Sequence, residues 1–156
     1  MDNKKQLLIS PAKVSVLVMI SPECPLCQSY SRTLNLLYNK YKSQDVKFYG
    51  VVPGKTFEKE AVQQYIEQYR IAFPVWFDPN LIFTRNVGAS KTPEVFVYNN
   101  KFELQYSGRI DNWAFEPGKK RKVITEHNLD ETLQSLLAGK MIKIKRTEAI
   151  GCYIED

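Results

Sequence analysis

Apolar residues fill the stretch Val14-Ser-Val-Leu-Val-Met-Ile20 almost without interruption. A run of this kind is expected of a central strand covered on both faces. The period then changes. Leu26, Tyr30, Leu34, Leu37 and Tyr41 recur at helical spacing, so 26–41 is predicted to lay one helix face on a sheet. Val46–Val52 reads as the next strand, ended by Pro53-Gly54. Thr56 is the expected N-cap of a helix over 57–70, whose Ala61, Val62, Tyr65, Ile66 and Tyr69 form a core face. Phe73–Phe77 is a short strand stopped by Asp78-Pro79-Asn80, and Leu81–Val87 a short helix ended by Gly88. Glu94–Tyr98 and Leu104–Gly108 flank a turn at Asn99-Asn100, as in an antiparallel hairpin.

Asn112–Lys122 reads as a loop of mixed aromatic and basic character. Asn128 is the expected cap of a last helix, with Glu131 three residues on and a stripe of Leu129, Leu133, Leu136 and Leu137 before Gly139. The order is βαβαβ, then a hairpin, then a helix. Right-handed crossovers make the early strands parallel and place helices on both faces of a mixed sheet. The expected organisation is a lead-in over 1–13, one α/β domain over 14–139, and a basic tail over 140–156 that carries Cys152.

Composition adds bounds. The 156 residues suffice for one domain with its own core, and 44% hydrophobic with 25% charged is ordinary for a globular chain. Three cysteines are too few for a disulfide scaffold and fit one catalytic pair plus one extra. A net charge of +5 permits an acidic partner or a membrane surface and requires neither. No stretch is long enough to span a bilayer, and the short apolar run after Met1 is not a signal h-region. If Met1 is the native start the expected compartment is the cytoplasm; if a leader was removed it is the periplasm.

The chemistry concentrates in Ser21-Pro22-Glu23-Cys24-Pro25-Leu26-Cys27, where the first strand ends and the first helix begins. A first helical turn offers unpaired N–H groups and the positive end of the dipole, which favour a thiolate at Cys24. Pro25 suits the first helical position because its missing N–H would be unpaired there. Two intervening residues put both sulfurs on one turn, within disulfide reach. In such sites the pKa of the first cysteine falls from about 8.5 to roughly 3.5–7. Glu23 opposes that fall unless it is simply a solvated loop charge. Zinc is the competing use of a CxxC. Cys24, Cys27, Cys152 and His127 would make a Cys3His set by number, although a CxxC directly after a buried strand is a poor knuckle. An inert pair is the third reading.

The CxxC, Thr92-Pro93-Glu94 before a strand, and the order of elements between them resemble the thioredoxin-fold oxidoreductases over Val14 to Gly139. Within that fold the resemblance is to the redoxin group, which holds TlpA/ResA-like and cytochrome c maturation-type thiol–disulfide proteins and the alkyl hydroperoxide reductase/thiol-specific antioxidant proteins. It implies a thioredoxin-like fold and a cis Thr92–Pro93 bond. It also implies that this loop faces the CxxC and pairs with an incoming substrate chain, and that Glu94 lies near the disulfide, where it could handle protons. Ser90 stands where the family has a glycine. Without the resemblance, Glu94 is an ordinary edge-of-strand carboxylate.

Other motifs carry less. Gly50-Val-Val-Pro-Gly54-Lys55-Thr56 has the look of a phosphate loop but only three residues between its glycines, where a Walker A loop has four, so no nucleotide site is expected. Lys119–Lys122 and Lys140–Arg146 are basic clusters. Trp113 and Phe115 near the first supply the aromatics a nucleic-acid site would want, but a solvated loop explains them and no nucleic-acid partner is expected. His127 reads as a loop residue, and Arg109 could fall near the active face.

The expectation is therefore a thiol–disulfide oxidoreductase. Cys24 attacks, Cys27 resolves, the partners are protein or small-molecule thiols and disulfides, and no organic cofactor is implied. Direction depends on a potential that spans roughly −270 to −120 mV in this fold. A thiol peroxidase is the first alternative. Ser21 stands three residues before Cys24 as in peroxiredoxins, but Leu17 occupies the place of their proline and Cys27 is an extra cysteine. A copper or zinc module on Cys24, Cys27 and Cys152 is the second. Cys152 is apolar-flanked in Ala149-Ile-Gly151-Cys152-Tyr-Ile154, so the tail is expected to dock. It is either an idle thiol or a third thiol beside Cys24, the latter needing Cα atoms about 4.4–6.8 Å apart.

Overall fold

A computed structural model describes residues 10–155. Five strands form the main sheet in the order β3-β2-β1-β5-β6. They are β1 (Val14–Met19), β2 (Val46–Pro53), β3 (Val75–Asp78), β5 (Glu94–Asn99) and β6 (Leu104–Gly108). β1, β2 and β3 run parallel, whereas β5 and β6 are antiparallel to their neighbours. The apolar run thus lies in the central strand, and all six of its residues are buried.

Alternation along β1 builds two cores, because successive side chains leave a strand on opposite faces. Val14, Val16, Val18 and the following Ile20 share one cluster with Leu26, Cys27, Tyr30 and Leu34 of α1 (Pro25–Tyr41), Val62 and Tyr65 of α2 (Lys59–Gln68), and Leu129 and Leu133 of α4 (Asn128–Leu137). Leu17 and Met19 join Tyr49, Val51 and Phe96 in the other, covered in part by Phe83 and Val87 of α3 (Ile82–Val87). Each fully buried aliphatic side chain contributes roughly 1.5–3 kcal/mol of transfer free energy, so the larger cluster is the main source of stability holding α1 to the sheet.

Three boundaries differ from the sequence reading. The second helix starts at Lys59 with Glu58 at its N-cap, and Thr56 caps nothing. Gly54 turns the chain at φ 80°, and Phe57 packs against the core before helical geometry begins. The last helix begins at Asn128 with His127 at the N-cap and no side-chain cap. Asn128 is buried, and its amide oxygen accepts from Arg109 Nε at 2.9 Å, so it is not available as a cap. Third, Asp78 does not simply stop a strand. It is the buried last residue of β3, and its carboxylate accepts from the backbone N–H of Ile82 and Thr84 and from the Thr84 hydroxyl, which fixes the start of α3.

One piece has no counterpart in the sequence reading, and the expected docking of the tail takes a definite form. Within the stretch read as a loop, β7 (Ala114–Glu116) and β8 (Lys119–Lys120) form a small hairpin, with Lys120 Nζ 4.7 Å from the Trp113 ring centre. The basic cluster is therefore partly paired with the neighbouring aromatics. The tail also has structure. It first follows the edge strand β6, where Ser107 exchanges backbone hydrogen bonds with Lys145 and Thr147. It then crosses to β4 (Lys91–Thr92) and pairs with it through β9 (Cys152–Tyr153).

Candidate redox site

Cys24 occupies the N-cap position of α1, with extended backbone at φ −76° and ψ 118°, and Pro25 is the first helical residue. Its N–H donates to the Ser21 carbonyl at 3.2 Å, and its carbonyl accepts from Gln28 at 3.1 Å. The helix therefore opens immediately behind the sulfur, with no acidic residue in its first turn. Glu23 points into solvent. Cys27 sits one turn in, fully buried, with a free thiol.

Burial pushes the Cys27 thiol up to about 11 against partial relief from hydrogen bonds to the Ser21 backbone and the Thr92 side chain. Water solvates a thiolate far better than this apolar pocket does. Tyr65 on α2 closes the pocket from the other side, its hydroxyl donating to the Cys27 carbonyl at 3.4 Å. One turn further along α1, the buried Tyr30 hydroxyl donates to Asp111 Oδ1 at 2.7 Å and accepts from Ala114 N–H. That network ties the helix to the segment after β6. Sequence reading placed Tyr30 and Tyr65 only as apolar stripe positions. Their hydroxyls, at the tip of a buried side chain, were the signal that each needed a partner.

The loop facing the sulfurs is Thr92-Pro93-Glu94, and the Thr92–Pro93 bond is cis. The Thr92 carbonyl oxygen is 3.3 Å from Cys24 Sγ, a contact that becomes an S–H···O hydrogen bond whenever Cys24 is a thiol. One Glu94 carboxylate oxygen accepts from the backbone N–H of Ser90 at 2.9 Å and Lys91 at 3.3 Å. It braces the turn that has Ser90 in place of glycine. Arg109 is engaged elsewhere, by Asn128 and by an ion pair with Glu126 at 2.8 Å. His127 stands at the start of α4.

The bond in place joins Cys24 not to Cys27 but to Cys152, with Cα atoms 6.1 Å apart. A sequence separation of 128 residues is thereby closed. β9 brings the third cysteine there: Thr92 pairs with Cys152 and Lys91 with Tyr153. A groove of about 250 Å³ runs beside the bond, lined by Glu23, Cys24, Thr56, Phe57, Cys152 and Tyr153 among others. Thr56, displaced from its expected helix cap, thus belongs to the site's rim. Among the described residues no cluster of three or more His, Cys, Asp or Glu side chains is placed to hold a metal ion. Nor does any helix among them have the length and apolarity to cross a membrane.

A parallel βαβ unit joined to an antiparallel hairpin, with a CxxC at the first helix and a cis-proline loop opposite, defines a thioredoxin-like fold. Solved structures agree. An uncharacterized conserved protein from Geobacillus kaustophilus superposes with a TM-score of 0.84 at 23% identity, over 94% of this chain and 78% of that one. A hypothetical protein from Sinorhizobium meliloti 1021 gives 0.82 at 23% identity, over 92% and 80%. A secreted Mycobacterium tuberculosis disulfide oxidoreductase homologous to E. coli DsbE gives 0.55 at 16% identity, over 81% of each chain. The chain belongs to the AhpC/TSA family, whose model matches residues 4–112 and so spans the CxxC and the cis-proline loop but not Cys152. Comparison with curated proteins finds no match.

Proposed function

We propose that this chain is a thiol–disulfide oxidoreductase that exchanges disulfides with protein or small-molecule thiols through Cys24, with Cys27 as the resolving thiol. One observation carries the reading: the Cys24 sulfur stands at the N-terminus of a 17-residue helix, already in a disulfide, with a second cysteine of the same turn free behind it. The helix terminus stabilises Cys24 as thiolate, which raises the fraction able to attack at neutral pH and makes it the better leaving group in exchange. Once an external thiol has reduced the Cys24–Cys152 bond, attack of the Cys24 thiolate on a partner disulfide forms a mixed disulfide and expels one partner sulfur as thiolate. Attack of Cys27 on Cys24 then releases the second partner sulfur and leaves Cys24–Cys27 oxidised, with two electrons passed to the partner. Run backwards, the same steps oxidise a dithiol partner.

Family membership favours a second reading, reduction of a peroxide at Cys24. A second cysteine in the same turn, and Leu17 where peroxidases carry proline, weigh towards dithiol exchange. Insulin reduction tests the first reading. Cys24→Ser should fall to the no-protein background, whereas a Cys27→Ser, Cys152→Ser double variant should accumulate mixed disulfides because attack survives and neither neighbouring thiol is left to resolve. Both variants reducing insulin like the parent would remove the reading. Rapid, stoichiometric peroxide loss by reduced protein, with no insulin activity, would put the second in its place.

A further inference from the structure

The tail does more at the site than supply a sulfur. Its backbone lies along β4 as an added antiparallel strand, and the register sets Cys152 directly opposite Thr92, whose carbonyl contacts Cys24 Sγ. Hydrogen bonds extend the seat on either side: Ile154 N–H donates to the Ser90 carbonyl at 2.9 Å, and Lys91 Nζ donates to the Ala149 carbonyl at 3.0 Å. Gly151 is the tightest point. A Cβ built there would stand 2.1 Å from the Thr92 carbonyl oxygen and 2.7 Å from its carbon, both backbone atoms that cannot swing away. Glycine is required by this approach and not by its own dihedrals, since Gly151 is not among the positive-φ residues. On the far side of the cysteine the demand relaxes, because the Tyr153 side chain is largely exposed. Ile154 packs against the second core cluster of Leu17, Met19, Tyr49, Val51 and Phe96.

We propose that the segment Gly151–Ile154 is a resident occupant of the substrate seat, held there as an intramolecular mixed disulfide, and that the seat selects extended cysteine-bearing polypeptides with glycine immediately before the cysteine. This rests on the exchange reading of Cys24 and adds to it a substrate class and an internal step. The step is an isomerisation. The Cys27 thiolate attacks Cys24 Sγ, the Cys24–Cys27 bond forms, the Cys24–Cys152 bond breaks, and Cys152 leaves as a thiolate. The proton lost by Cys27 is returned through solvent to Cys152. One disulfide and one thiol are present before and after, so no outside oxidant or reductant is consumed. With its covalent tie gone, β9 keeps only a two-residue pairing and its flanking hydrogen bonds, and an external chain can compete for the same edge. Cys27→Ser lacks the step, and its tail stays seated.

The test uses the full-length reduced protein and two synthetic peptides, Ala-Ile-Gly-Cys-Tyr-Ile and its Gly-to-Val counterpart. Each peptide cysteine is blocked as the mixed disulfide with 2-nitro-5-thiobenzoate, whose release is followed by absorbance. Attack by Cys24 frees the coloured thiolate and joins the peptide to Cys24. The glycine peptide should react about tenfold faster or more, a difference of about 1.4 kcal/mol in the barrier. Cys152→Ser should keep that preference, because the seat and not the tail imposes it. Equal rates for the two peptides would overturn the proposal while leaving Cys24 exchange intact. No reaction of Cys24 with either peptide, against a fully reactive small disulfide such as oxidised glutathione, would also overturn it, since the seat would then accept no polypeptide. Failure with glutathione as well would remove the exchange reading itself.

Discussion

Cys24 has two neighbours in reach of exchange chemistry, and they could hardly be held more differently. Cys27 is built into a 17-residue helix whose apolar face shares the main core with buried residues of β1, β2, β5, β6 and β7 and of two other helices. It is fully buried and its thiol resists ionisation. Cys152 sits on a two-residue strand at the end of a tail, half-buried, next to a tyrosine that is 77% exposed. One partner moves only if the fold moves, whereas the other is held by a few hydrogen bonds and a covalent bond that chemistry can remove. In the proposed exchange reaction this difference gives one sulfur two uses: the rigid partner would reset the site, and the replaceable one would occupy it.

The contrast predicts a steep pH dependence on the helix side. Cys27 has its thiol raised above the ordinary 9.0 to about 11. In a Cys24→Ser, Cys152→Ser double variant, alkylation of Cys27 by iodoacetamide should climb roughly tenfold per pH unit and level off only near the raised value, so that it is about 10⁴-fold slower at neutral pH than at the plateau. A plateau near pH 8 would show a solvated thiol and erase the contrast. The sign for stability follows from the same shift. The folded state keeps its proton longer than the unfolded one, so the stability from neutral Cys27 is whole below about pH 9 and is lost as pH rises through about 11.

A second, smaller effect separates fold from tail. Leu34 lies two turns after Cys27 on α1 and is fully buried. Leu34→Ala should cost about 2–5 kcal/mol in chemical denaturation. Alkylation of Cys152 in reduced protein should change little, because the tail's seat is made on β4 and not on α1. Equal loosening of tail and core in that variant would mean that the two regions are one cooperative unit.

Much of this was legible in the chain. β1, α1, β2 and the β5–β6 hairpin show a strong local period, and the CxxC falls where a buried strand meets a helix. The parts that were not legible share one physical cause. A two-residue strand such as β4, β8 or β9 has no period to read, and its position is set by contacts far away in sequence. Asn128 has the composition of a cap, but the guanidinium of Arg109 claims its side chain. Glu94 carries a carboxylate beside a redox loop, yet two backbone donors hold it to the turn. That Gly151 approaches the Thr92 carbonyl, within the cis-proline loop itself, could come only from the folded chain.

The most direct test of the account is a disulfide map taken through a redox cycle. Fully reduced wild-type protein and its Cys27→Ser variant would be oxidised mildly, quenched with acid and alkylating agent at intervals, digested, and read by mass spectrometry. The account predicts two linked peptides in the wild type, Cys24–Cys152 and Cys24–Cys27, interconverting without added oxidant, and Cys24–Cys152 alone in the variant. A wild type that forms neither bond at Cys24, or that holds Cys24–Cys152 unchanged while active on insulin, would contradict it.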